Sequence, residues 1–156
     1  MTTAKEMMHL GAECIPATET LDRAAQVMRD KQVGSLPICG PDNKLTGILT
    51  DRDIVVKCIA HGKDPAKMTA GDLAQGKALY VDAKATEDEV LEVMEKNKVR
   101  RVPVIENKKI VGMISEADIA QHLSEKKLAH FVSTITAAPP TKVSATAKIS
   151  ASAKTR

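Results

Sequence analysis

The stretch Gly47-Ile48-Leu49-Thr50-Asp51-Arg52-Asp53 recurs downstream as Gly112-Met113-Ile114-Ser115-Glu116-Ala117-Asp118. A small residue, two apolar residues, a hydroxyl, two spacers and a carboxylate therefore occur twice. Each copy is followed by an isoleucine, Ile54 and Ile119. Both read as the end of a buried strand that runs straight into a helix. Thr50 and Ser115 are natural N-caps, and Asp53 and Asp118 fall at the third helical position.

The duplication extends over most of the chain, at an offset of about 66 residues. Thr3 to Glu6 matches Thr69 to Asp72, Cys14-Ile15-Pro16 matches Tyr80-Val81-Asp82, and Val27-Met28 matches Val93-Met94. Pro37-Ile38 matches Pro103-Val104. The offset then shortens by one, because Gly40 to Lys44 makes a longer turn than Glu106 to Lys109.

Each half predicts the same elements. A short leading helix starts at a capping box, Thr3 with Glu6 and Thr69 with Asp72. A short strand follows, near Glu13 to Pro16 and near Leu79 to Asp82. An amphipathic helix comes next, carrying Leu21, Ala24, Ala25, Val27 and Met28 in one half and Val90, Leu91, Val93 and Met94 in the other. Two strands joined by a hairpin then lead into a closing helix, Asp51 to about Ala60 and Glu116 to about Leu123. The fold class expected is α/β (α+β), a tandem β-α-β-β-α repeat packed sheet to sheet with pseudo-twofold symmetry. One unit of about 60 residues buries too little surface to stand comfortably alone, so two should pair. The expected division is 1–66, 67–132 and a remainder, 133–156. In that remainder a helix from Lys126 to Ala137 ends, and a Pro, Thr, Lys, Ser and Ala tail is expected to be disordered.

Composition removes several function classes. Aromatics make up 1% of the 156 residues, so the bases of single-stranded nucleic acid would find little to stack on. The formal charge is +3, but Lys142, Lys148, Lys154 and Arg156 all lie in the tail, and without them it becomes −1. The body thus offers no basic footprint for DNA, and nucleic acid is not an expected partner. No run of about 18 apolar residues occurs, and the first residues lack a signal peptide's apolar segment. A cytoplasmic location is expected.

The doubled turn, with Leu36-Pro37-Ile38 and Val102-Pro103-Val104 ahead of its two copies, resembles a tandem pair of cystathionine-β-synthase (CBS) domains over about residues 1 to 132. The resemblance implies two clefts between the halves, pairing into a disc-like homodimer through the CBS helices, and a regulatory or sensing role rather than catalysis. It further implies an adenosine-containing ligand, AMP-like or ATP-like, with no cofactor required. By that analogy Asp53 and Asp118 accept from the ribose hydroxyls, and Thr50 and Ser115 contact ribose or phosphate.

The chemistry of such a ligand is consistent with these residue types. A diol is well held by a carboxylate that accepts from both hydroxyls, and phosphate by guanidinium groups. Lys98, Arg100 and Arg101 precede Val102, where the first half has Gln32, Gly34 and Ser35, so the clefts should differ in phosphate affinity. Arg52, replaced by Ala117 in the second copy, is a further candidate, and Tyr80, the single tyrosine, could flank a purine. A plainer reading stands beside this one. Thr-x-x-Asp and Ser-x-x-Asp are also capping boxes, the arginines could simply blunt a strand edge, and Tyr80 could be a core or rim residue.

Cys14 and Cys39 lie on strands of the same half. If those strands are neighbours their sulfurs come within bonding range, whereas a reducing cytosol opposes a disulfide. Cys58 and His61 have a spacing that can hold a metal, but two ligands make a poor site, and no metal is expected. No nucleophile elbow, P-loop or H-E-x-x-H is present, so a non-catalytic binding module is expected. The alternative is a ligand-free structural or interaction dimer with an unknown protein partner.

Overall fold

Thr3 and Glu6 close the first capping box, the Thr3 amide donating to Glu6 Oε2 at 2.7 Å, and start α1 (Ala4–Met7). Helix α2 (Leu21–Lys31) buries Leu21, Ala24 and Met28 and stops where Gln32 turns left-handed. Strands β1 (Ser35–Cys39) and β2 (Leu45–Thr50) form an antiparallel hairpin. Thr50 then caps α3 (Asp51–Asp53), which widens into a π-helical turn, Ile54–Cys58, and tightens into a 3₁₀ turn, Ile59–His61. The second half repeats this order with α4 (Ala70–Leu73), β3 (Val81–Asp82), α5 (Glu87–Asn97), β4 (Arg101–Glu106), β5 (Lys109–Ser115) and α6 (Glu116–His122), and adds α7 (Glu125–Thr136). This computed structural model describes residues 1–74 and 78–137. The tail expected from Pro139 onwards lies outside them.

The two hairpins correspond in detail. Ser35 pairs with Thr50 and Arg101 with Ser115, and each ladder shifts register at the same place, Ile38/Cys39 and Val104/Ile105. The leading strands are less equal. Strand β3 pairs in parallel with β4, whereas its counterpart is a single bridge, Ile15 to Ile38. Beside that bridge Cys14 and Cys39 are joined by a disulfide, their Cα atoms 5.5 Å apart.

Two apolar clusters hold the fold, and each takes its leading helix from the other half. Ala4 and Met7 of α1 are buried with Val81, Val90, Val102 and Ile114. Ala70 and Leu73 of α4 are buried with Leu21, Leu36 and Leu49. Isolated bridges tie the exchange down, Thr3 to Thr86 and Thr20 to Thr69. The cluster around Ala4 and Met7 also receives Ile135 and the single phenylalanine, Phe131, from α7. Lys98, counted in sequence among the cations before Val102, instead donates from Nζ to the Thr134 carbonyl at the end of α7, 2.7 Å away.

Candidate functional site

The strand-to-helix turns are built alike. Ser or Thr ends an extended strand, and its side-chain oxygen accepts from the amide of the aspartate three residues on. The Asp53 amide donates to Thr50 Oγ1 at 3.1 Å, and the Thr50 amide donates to Asp53 Oδ2 at 3.1 Å. In the second copy the Asp118 amide donates to Ser115 Oγ at 3.4 Å, and both the amide and the hydroxyl of Ser115 donate to Asp118 Oδ2 at 2.7 Å. Both turns are therefore complete capping boxes. Their carboxylates are only partly covered, with side chains 23% exposed at Asp53 and 17% at Asp118.

The residue that leads each motif is small because another segment of the chain lies against it. A Cβ on Gly112 would stand 2.9 Å from the His9 carbonyl oxygen, and one on Gly47 would stand 2.9 Å from Ala74 Cβ. The segments after α1 and α4, exchanged between halves, thus run past the two turns. Through this exchange His9 arrives at the second turn. His9 and Met113 bond each other's backbone at 3.0 and 3.1 Å, and His9 Nδ1 sits 2.7 Å from Asp118 Oδ2. An ionised carboxylate can only accept, so Nδ1 carries the proton. Asp53 has a different partner, Lys57 Nζ at 3.0 Å from Oδ1, one turn along its own helix.

These neighbours set the carboxylate acidities. Burial pushes Asp53 up, but hydrogen bonds from Lys57 and Thr50 outweigh it and hold the carboxyl below its ordinary value. Asp118 follows the same pattern, with burial opposed by Ser115 and then His9.

Arg101 links the halves. A Cβ on Gly34 would stand 3.2 Å from Arg101 Nη1 and 3.1 Å from Asp51 Oδ2. The guanidinium at the start of β4 therefore lies over the start of β1, beside the first turn of α3. Arg100 is exposed and contributes its carbonyl to the Glu116 amide at 3.0 Å. Arg52 is exposed, its amide donating to Asp51 Oδ1 at 2.8 Å. Tyr80 is 53% exposed on the approach to β3, which excludes the core reading. Cys58 and His61 do not form a pair, because the buried thiol donates to the Lys63 carbonyl at 3.4 Å while His61 is exposed. Among the described residues no group of three His, Cys, Asp or Glu side chains could hold a metal ion. Nor is any described helix long and apolar enough to cross a membrane.

Comparison with known proteins identifies the repeat. The family model for the CBS domain matches twice, at residues 4–59 and 70–125. The chain belongs to the CBS domain family. It is 53% identical over 135 residues to hypoxic response protein 1 of Mycobacterium tuberculosis H37Rv, spanning 86% of this chain and 94% of that protein. An uncharacterized Bacillus subtilis protein, YlbB, is 35% identical over 127 residues, spanning 81% and 84%. The crystal structure of Hypoxic Response Protein I with two coordinated zinc ions superposes with a TM-score of 0.73 at 54% identity, covering 79% of this chain and all of that one. A hexameric CBS-CP12 protein from bloom-forming cyanobacteria superposes with a TM-score of 0.71 at 27% identity, covering 78% and 71%. The CBS pair makes this chain a regulatory module in architecture.

Three residues at the turns were not singled out from sequence. Lys57 carried a signal, since a lysine four residues after an aspartate on a helix can reach it. Asp51 is a motif spacer, and His9 lies 109 residues from Asp118, so no local pattern links them.

Proposed function

We propose that this CBS pair is a sensor module that takes an adenosine-containing ligand, AMP-like or ATP-like, between its two domains. The observation that carries the reading is the approach of Arg101 to Gly34 and Asp51. It supplies a cation from one domain at the carboxylate-bearing turn of the other. In this reading Asp53 and Asp118 accept from ribose hydroxyls, Thr50 and Ser115 line the sugar, and Arg101, with Arg100 and Arg52 nearby, meets phosphate. Tyr80 offers an exposed ring for the base. Titration calorimetry with AMP, ADP, ATP, NADH and S-adenosylmethionine tests it. Binding by at least one, lost in the Asp53→Ala/Asp118→Ala double variant, is expected, and no heat from any at millimolar ligand contradicts it.

A second reading rests on the completeness of both capping boxes. If capping is the aspartates' whole role, the double variant loses roughly 0.5–2 kcal/mol per cap and changes no binding. Self-association belongs to either reading. Val55, Val56 and Ile59 expose 57%, 42% and 52% of their surface on one helical segment, and a second copy of the chain would cover them. The hexameric relative supports an assembly of some order. Zinc has less support here, since His9 and Asp118 adjoin but no third donor joins them among the described residues.

A further inference from the structure

We infer that His9 is a specificity-determining residue of the second crevice, which competes with the ligand's sugar for Asp118. The inference rests on the ribose reading above and adds to it a residue from outside the repeat motif.

Acceptor capacity at Asp118 decides what a sugar must displace. A vicinal diol binds a carboxylate best when each hydroxyl donates to its own oxygen. At Asp118 one oxygen is already crowded. Oδ2 takes the Ser115 amide, the Ser115 hydroxyl and His9 Nδ1, each at 2.7 Å. The Ser115 donors belong to the cap that starts α6 and stay with it. His9 is the one that can leave, since its side chain is 49% exposed and belongs to a segment joined to β5 by a single bridge, at Met113. A sugar entering the second crevice therefore displaces His9. The first crevice differs, because the donor on Asp53 Oδ1 is Lys57, from the same helical segment. The two crevices thus differ in the group that must leave, and only at the second is that group carried by a leading segment from the other half.

The test uses the full chain and AMP. Binding is measured calorimetrically in an Asp53→Asn background, which removes an acceptor oxygen from the first crevice so that the second is read. His9→Ala should tighten AMP about two- to fivefold, the scale of an exposed ion pair. His9→Asn, which keeps an N–H donor at the position of Nδ1, should return affinity close to that of the background. A purely structural His9 would give weaker or unchanged binding in His9→Ala, and that result overturns the inference while leaving the ribose reading intact. Absence of AMP binding in every variant and in the unsubstituted chain overturns the ribose reading and this inference with it.

Discussion

Arg101 lays its guanidinium over Gly34, although the two occupy neighbouring positions in different repeats. A Cβ at residue 34 would stand 3.2 Å from Nη1. This contact joins the cation of one domain to the capped turn of the other. If Arg101 meets phosphate, Arg101→Ala should weaken AMP about tenfold, the lower end for a hydrogen bond to a charged group. Adenosine, which lacks the phosphate, should bind almost unchanged. Calorimetry with both ligands separates the effects, and equal losses for the two would remove Arg101 from the phosphate.

The glycines that lead the motifs should respond differently from Gly34. A methyl at Gly34 meets only the far ends of Arg101 and Asp51, which can swing aside. At Gly112 it meets the His9 carbonyl at 2.9 Å, which is backbone held by the bridge to Met113. Gly112→Ala should therefore lose roughly 1–3 kcal/mol through overpacking, and Gly34→Ala no more than about 0.5 kcal/mol. Urea denaturation of both variants checks this, and a Gly34→Ala loss as large as that of Gly112→Ala would contradict it.

The sequence disclosed what is local and periodic. The capping boxes at Thr3, Thr50, Thr69, Thr86 and Ser115 all form, because each is closed by residues three apart. The hairpins and amphipathic helices follow from apolar spacing, which fixes the face an element buries. It does not fix whose core receives that face, so the exchange of α1 and α4 was not legible. The closing helix expected over Asp51 to Ala60 is present but changes to π geometry after Asp53, with no proline or glycine between Ile54 and Ala60 to signal it. In the candidate site the aspartates and arginines could be named from motif and charge, whereas His9 depended on a contact between distant segments.

The disulfide closes a loop with a sequence separation of 25 between Cys14 and Cys39. Constraint of the unfolded chain by a loop of that size stabilises the fold by about 3.5 kcal/mol in the entropy model. Reduction should lower the denaturation midpoint, and the Cys14→Ser/Cys39→Ser variant should match the reduced protein without responding to reductant. An unchanged midpoint on reduction would mean that the bridge holds nothing the fold needs.

Acid should weaken both turns. Asp53 and Asp118 are held below the ordinary aspartate value of 3.8 in the folded chain. Each contributes stability that is present above that value and lost as pH falls through the lower folded one. The stability–pH curve should therefore drop below about pH 4, and Asp53→Asn with Asp118→Asn should flatten that part of it. Denaturant titrations from pH 6 to 2.5 measure this, and identical acid limbs in the two proteins would contradict it.

A crystal structure of the full chain grown with AMP separates a ligand site from a pair of plain helix caps. Ribose hydroxyls are expected within hydrogen-bond distance of Asp53 or Asp118 and phosphate beside Arg101, with His9 moved away wherever Asp118 holds the sugar. Nucleotide bound elsewhere, or both capped turns unchanged and bare at saturating AMP, would contradict the ribose reading and leave the aspartates as helix caps alone.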